Sequence, residues 1–123
     1  MLSFMKYISV TSRCAMQYRN DMLADTSLSG FQYIYIIEIC RTPGISQEGL
    51  ARAIHINKSN VTRQLDKLEN NGYVERSFCP CDRRISEVYP TDKAYDVLPR
   101  VRECLHRWNA YLTEDFTEEE KET

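Results

Sequence analysis

The chain has 123 residues, which is the length of a single domain. Hydrophobic residues make up 42% and charged residues 28%, so a collagen-like, low-complexity or wholly disordered chain is excluded. Sixteen Lys and Arg against 18 Asp and Glu give a formal net charge of −2. Taken alone, this balance argues weakly against a nucleic-acid binder, which is first expected to be basic.

Membrane insertion and secretion find no support in the sequence. It contains no run of about 18 apolar residues, and the first 21 residues are too polar for a signal peptide. We therefore expect a cytoplasmic protein without membrane contact. An odd number of scattered cysteines suits a reducing compartment better than a disulfide framework; they are Cys14, Cys40, Cys79, Cys81 and Cys104.

The first two predicted elements are helices. Residues 2–24 place an apolar stripe on one helical face by alternating steps of four and three; its members are Phe4, Ile8, Thr11, Ala15, Tyr18 and Met22. Ser29 and Gln32 then have capping-box spacing before the apolar run 31–39, which favours a second helix with Ser29 at its start. The β-branched content of that run makes a strand the competing interpretation. Thr42-Pro43-Gly44 ends the element.

Two short helices joined by a tight turn come next. Ser46 is a suitable N-cap for the first, with Leu50, Ala51 and Ile54 facing inward. After the turn at 55–57, Asn57 is a suitable N-cap for a helix over 58–71. Gly72 stands in the usual stop position after it. The inner stripe of this helix is Val61, Leu65 and Leu68.

The period then changes to that of strands. Residues 73–79 and 85–89 predict a β-hairpin with a polar turn at 80–83. Thr91 is the expected N-cap of a last long helix, and Pro99 should bend it locally. This helix carries a heptad-like seam of Ala94, Leu98, Val101, Leu105, Trp108 and Leu112. Thr117 and Glu120 in the tail again have capping-box spacing.

Helix, turn, helix and hairpin together form a winged helix-turn-helix, so the fold class is mainly α with a small β-hairpin wing. In such a module the second helix lies in the DNA major groove with its N-terminal half nearest the bases. Its outer face must then carry small or planar hydrogen-bonding groups and positive charge. That face offers Lys58, Ser59, Asn60, Thr62, Arg63 and Lys67. A solvated amphipathic helix would explain these residues equally well.

The hairpin favours the DNA-binding interpretation. Arg83 and Arg84 lie at its tip and Arg76 lies on its first strand; a cationic tip can reach phosphates or a neighbouring minor groove. Asp82 would be a poor DNA contact, and a role in orienting one arginine suits it better. A surface ion pair of little energetic value is the alternative.

Residues 45–94, with the stretch VTRQLDKLENNGYVER and the wing pair Asp82 and Arg84, resemble the winged-helix core of the multiple-antibiotic-resistance regulator (MarR) family. The resemblance implies a homodimeric transcription regulator, usually a repressor, that binds a pseudo-palindromic site on double-stranded promoter DNA. It implies one domain with a DNA-binding core at about 29–90, dimerisation helices at about 2–24 and 91–112, and an acidic tail at 113–123.

Some positions depart from the family pattern. Pro90 and Ala94 stand where the family usually has Leu and Gly at the end of the wing, and Glu87 stands at a commonly apolar wing position. The chain also ends where the family's final dimerisation helix is expected to begin. This last departure affects the expected strength of the dimer.

The resemblance further implies an effector, often a small aromatic acid bound between the dimerisation and DNA-binding regions. Arg13, Tyr18, Tyr33 and Tyr35 are the candidates in chain order, although tyrosines more often serve packing. Cys79 and Cys81 lie beside the wing arginines and are candidate redox thiols; two thiols with no special role are the alternative. Zinc would need further ligands, so we expect no metal and no cofactor.

Catalysis has little support, because His55 and His106 have neither metal-ligand spacing nor a nucleophile and base nearby in sequence, and no Gly-rich phosphate loop occurs. The alternative to a DNA-binding regulator is a winged-helix protein-interaction module. Charge distribution favours the regulator. Residues 41–90 sum to +2 and 91–112 to +1, whereas the tail from Thr113 carries −5.

Overall fold

The computed structural model describes residues 2–79, 82–114, 117 and 119, and the side chains of these residues except 2, 79 and 82–85. Its helices and strands follow the predicted order, with one short strand in addition. They are α1 (Leu2–Met22), α2 (Tyr33–Arg41), β1 (Ile45–Ser46), α3 (Gln47–Ile54), α4 (Lys58–Asn70), β2 (Val74–Cys79), β3 (Asp82–Pro90) and α5 (Asp92–Leu112). Residues 31–39 therefore belong mostly to a helix, and the competing strand interpretation is wrong.

The sheet of the described chain is antiparallel, with strand order β1-β3-β2. Val74 pairs with Pro90 at the base of the hairpin, and the register shifts between Phe78 and Cys79. Strand β1 was not predicted. Ile45 pairs with Val88, and a two-residue strand carries no alternating pattern that sequence inspection could detect.

One hydrophobic core lies between α2, α3, α4, the sheet and the first half of α5. The inward faces of α3 and α4 are as predicted, since Leu50, Val61, Leu65 and Leu68 are fully buried. Other residues of this core are Tyr35, Ile36, Ile39, Tyr73, Val74, Val88, Ala94 and Val101. The core therefore fixes α4 with its other face turned outward.

Helix α1 docks on this core only near its C-terminal end. The backbone N–H of Gly30 donates to Asn20 Oδ1 at 2.5 Å, and Arg19 Nε donates to the Gly30 carbonyl at 2.7 Å. A Cβ on residue 30 would stand 2.6 Å from the carbonyl oxygen of Met16, so only glycine allows this approach. Towards the N-terminus the predicted stripe is exposed: Phe4 is 64% and Ile8 50% exposed.

Two predicted helix starts differ in detail. Helix α2 begins at Tyr33 with Gln32 at its N-cap, later than the start predicted at Ser29. The Gln32 carboxamide oxygen still accepts from the Ser29 N–H at 3.0 Å, which is one of the two bonds of the predicted capping box. Thr91 occupies the N-cap of α5 without a side-chain capping bond. Its hydroxyl instead donates to the Gly72 carbonyl at 2.6 Å. The stop at Gly72, with φ of 81°, is confirmed.

Helix α5 runs continuously through Pro99. The first half of its seam is buried and the second half is not: Ala94, Leu98 and Val101 lie in the core, whereas Leu112 is 43% exposed. Among the described helices, none combines the length and apolar character needed to cross a membrane. Of the tail's predicted capping pair, Glu120 lies outside the described residues.

Candidate nucleic-acid interface

The turn between α3 and α4 sets the direction of α4. His55 adopts a left-handed conformation with φ of 56°, and the following N–H, of Ile56, donates to the Ala51 carbonyl at 3.1 Å. Asn57 then caps α4, as predicted: its Oδ1 accepts from the Asn60 N–H at 2.8 Å and from the Ser59 hydroxyl at 3.0 Å. Two bonds at one carboxamide fix the first turn of the helix.

Helix α4 has a buried apolar face and an outward polar face. Along the outward face, the predicted residues are exposed except Asn60, which is half-buried; they are Lys58, Ser59, Asn60, Thr62, Arg63 and Lys67. The structure therefore brings these six candidates together on one surface. Three cations and four neutral hydrogen-bonding groups, counting Asn57, lie within four helical turns.

The outward face is ordered by bonds within the protein. Arg63 Nη2 donates to Asn60 Oδ1 at 3.1 Å, and the Thr62 hydroxyl donates to the Lys58 carbonyl at 3.0 Å. Lys58 Nζ lies 3.9 Å from a carboxylate oxygen of Glu48, with both side chains exposed. These contacts are solvent-accessible, so a ligand could replace them at small cost.

Arg76 differs from the other candidate cations because it is engaged by protein carboxylates. Its Nη2 donates to Asp66 Oδ1 at 2.6 Å and to Glu69 Oε1 at 2.9 Å. Its side chain is only 15% exposed. The hydrogen bond from Arg76 lowers the pKa of Glu69, and the same bond raises the pKa of Arg76.

The wing candidates follow the hairpin turn. Strand β3 begins at Asp82, so Asp82, Arg83 and Arg84 are its first three residues, at the end of the hairpin distant from the core. Their side chains lie outside the described part of the structure, as does Cys81, together with the side chain of Cys79. The predicted orienting role of Asp82 and the predicted redox role of the two thiols thus stay predictions.

The four effector candidates are not brought together. Tyr35 is fully buried in the core, and burial raises its pKa. Tyr33 lies under the guanidinium of Arg19, 4.2 Å from the ring centroid. Only Tyr18 of the four lines the open groove of about 620 Å³ between the described parts of α1 and α5, where Trp108 and Tyr111 also lie.

Sequence inspection missed two residues of this surface. Gln47, the first residue of α3, bonds both to Thr62 and to Arg76. Glu69, near the C-terminal end of α4, forms an ion pair with Arg76 of β2. Within the described residues, no group of three or more His, Cys, Asp or Glu could hold a metal ion. No local sequence pattern points to Gln47, because its partners lie 15 and 29 residues away.

Comparison with known proteins agrees with this geometry. The family model described as MarR family matches residues 28–86. The uncharacterized HTH-type transcriptional regulator YybA of Bacillus subtilis (strain 168) is 30% identical over 123 residues, which are all of this chain and 82% of the relative.

Solved structures show the same fold. A MarR transcriptional regulator from Methanosarcina mazei Go1 superposes with a TM-score of 0.90 at 25% identity, over 99% of this chain and 88% of the other. A MarR family regulator from Listeria monocytogenes, complexed with 26mer DNA, has a TM-score of 0.87 at 27% identity, over 94% and 77% of the two chains.

Proposed function

The chain belongs to the MarR family of transcriptional regulators. On that premise we propose that it is a homodimeric repressor that binds a pseudo-palindromic promoter site. The single observation that carries the proposal is the two-faced α4. Its inner residues Val61, Leu65 and Leu68 are 0% exposed, so its polar face must point outward. The structure of the Listeria relative with 26mer DNA supports DNA as the partner.

We assign the contacts by chemistry. Arg63 and Asn60 carry planar groups that can read purine edges in the major groove. Ser59 and Thr62 can bond bases or phosphates, and Lys58 and Lys67 supply charge for the phosphate backbone. At the wing, Arg83 and Arg84 would engage the neighbouring groove or backbone, with Asp82 as their orienting partner.

Exposed apolar surface supports the dimer. The first half of α1 presents Phe4, Met5, Tyr7 and Ile8 to solvent, each at least 50% exposed. Tyr111 of α5 is 65% exposed. Large contiguous apolar patches on a small protein mark interaction surfaces, and a second copy would cover this one. Its place of action would be the cytoplasm, where promoter DNA lies.

Release by a signal is part of the proposal. The groove beside Tyr18 and Trp108 supports a small aromatic effector, and the thiols at Cys79 and Cys81 support oxidant sensing at the wing. Operator affinity should be measured with benzoate and, separately, with hydrogen peroxide. If peroxide affects the wild type and the Cys79→Ser/Cys81→Ser variant alike, the redox role is lost; if benzoate leaves affinity unchanged, the aromatic-acid role is lost.

The decisive experiment is selection of bound duplexes from a random pool. We expect an inverted repeat with half-sites about 10 base pairs apart, one helical turn. Arg63→Ala should recover a less defined sequence than the wild type. Arg41→Ala removes an exposed cation of α2 that pairs with Glu38; it is the matched control and should recover the wild-type sequence. A wild-type protein that ignores all duplexes at low salt would instead indicate a protein-interaction module.

A further inference from the structure

We propose that Arg76 is a positioning residue that holds α3, α4 and the first wing strand in the arrangement that reads DNA, and that it does not contact DNA. The inference rests on the proposed function. It replaces the sequence-based expectation that Arg76 joins the other cations on the DNA.

Both terminal nitrogens of the Arg76 guanidinium donate hydrogen bonds within the protein. Nη2 is shared between Asp66 and Glu69 of α4, and Nη1 donates to Gln47 Oε1 of α3 at 3.3 Å. The backbone N–H of Arg76 also donates to Glu69 Oε2 at 3.3 Å. One residue of β2 therefore binds both helices of the helix-turn-helix.

Charge opposes any transfer of Arg76 to a phosphate. Asp66 and Glu69 are 56% and 40% exposed at their side chains, beside the surface proposed to face the duplex. If Arg76 turned to DNA, two carboxylates would be left without their cation next to the phosphate backbone. Like charges in that position repel, so electrostatics favours a guanidinium that stays paired with the two carboxylates.

The network reaches a predicted base-contacting residue. Gln47 accepts from Arg76 with Oε1 and donates from Nε2 to the Thr62 hydroxyl at 3.2 Å. Thr62 lies in the N-terminal half of α4, the half that enters the groove most deeply in this class of motif. Loss of Arg76 should thus change how α4 sits against its specific bases, more than it changes general attraction to DNA.

The test compares the selected operator with a scrambled duplex of equal length. A residue bound to phosphate weakens both duplexes alike and lowers the salt slope by about 0.9. For Arg76→Gln we expect an operator affinity lower by about tenfold, with the scrambled duplex changed by less than about threefold. Lys67→Gln, a proposed phosphate contact, is the matched control and should weaken both duplexes equally.

The double variant Asp66→Asn/Glu69→Gln separates positioning from charge. It makes the surface more positive, so simple electrostatics predicts tighter binding of both duplexes. Positioning through the carboxylates predicts that the ratio of operator to scrambled affinity falls, as for Arg76→Gln. The double variant tests the positioning role even if Arg76→Gln does not fold.

Two results would overturn the inference: an equal loss on both duplexes for Arg76→Gln, or an unchanged affinity ratio in the double variant. A wild type that binds no duplex would overturn the proposed function itself, and this inference with it. The two failures are distinguishable, because the first requires a wild type that binds its operator.

Discussion

The carboxamide nitrogen of Gln32 donates to the carboxamide oxygen of Gln64 at 3.2 Å, joining the segment before α2 to the middle of α4. Gln32 is 4% exposed, so its amide has little access to water. This bond ties the middle of α4 to the segment before α2, so it makes α4 sensitive to a residue far from the outward face.

Replacing Gln64 tests that bond. Gln64→Leu leaves a buried N–H of Gln32 without its acceptor, which should lower the free energy of unfolding by about 1–3 kcal/mol. Gln64→Glu keeps an oxygen in the same place and should cost less. Urea denaturation measures both. Equal losses for the two variants would contradict the role given to the hydrogen bond.

The cap of α4 should contribute to stability and to DNA binding separately. Asn57→Ala removes the acceptor for the Asn60 N–H and should cost about 1 kcal/mol of stability. Asn57→Asp keeps that acceptor, so stability should hold, but it places a negative charge at the end of the helix proposed to meet phosphate. Operator affinity should therefore fall in both variants, whereas thermal stability should fall only in Asn57→Ala.

The pair of Glu69 and Arg76 predicts a pH dependence of folding stability. Arg76 lowers the pKa of Glu69 in the folded protein, so the carboxylate stabilises the fold above its unfolded pKa, roughly 4.3. That contribution is lost as the pH falls through the lower folded pKa. The difference in unfolding free energy between the wild type and Glu69→Gln should shrink from pH 6 towards pH 3. A difference independent of pH would exclude the linkage.

The exposed stripe of α1 predicts the effect of a charge in the dimer surface. Ile8 is 50% exposed, and Ile8→Glu would bury a charge in the proposed interface, raising the dimer dissociation constant by at least about tenfold, or about 1.4 kcal/mol. Ser9→Glu, at an exposed position about 100° round the helix from Ile8, is a control for added charge. Sedimentation equilibrium distinguishes monomer from dimer; unchanged association of Ile8→Glu would place the interface elsewhere.

Elements marked by local chemistry could be predicted from the sequence. Helices α3 and α4 start where Ser46 and Asn57 supply capping oxygens, and both caps bond as expected. The predicted end of α4 is one residue too long, since Asn71 is the C-cap. These signals are confined to neighbouring residues, so no knowledge of the fold is needed to see them.

Elements and contacts that depend on distant residues could not be predicted. Strand β1 exists because Ile45 meets Val88, 43 residues later. The carboxylate partners of Arg76 become visible only when α4 and β2 are packed, so its pairing within the protein could not be predicted from the sequence. The exposure of Phe4 likewise follows from where α1 docks, at Gly30, and not from its own periodicity.

The bond from Thr91 to the Gly72 carbonyl joins α5 to the end of α4, and Lys93 Nζ adds a second link to the Asn71 carbonyl at 2.6 Å. In the proposed dimer, built on α1 and α5, these two hydrogen bonds would couple each copy of α4 to the dimerisation helices. The separation of the two copies of α4 has to match one turn of the double helix, about 34 Å. A small rotation of α5 would then change the distance between the two copies of α4. The dimer could gain or lose its fit to the operator in this way without any change in the residues proposed to contact the bases.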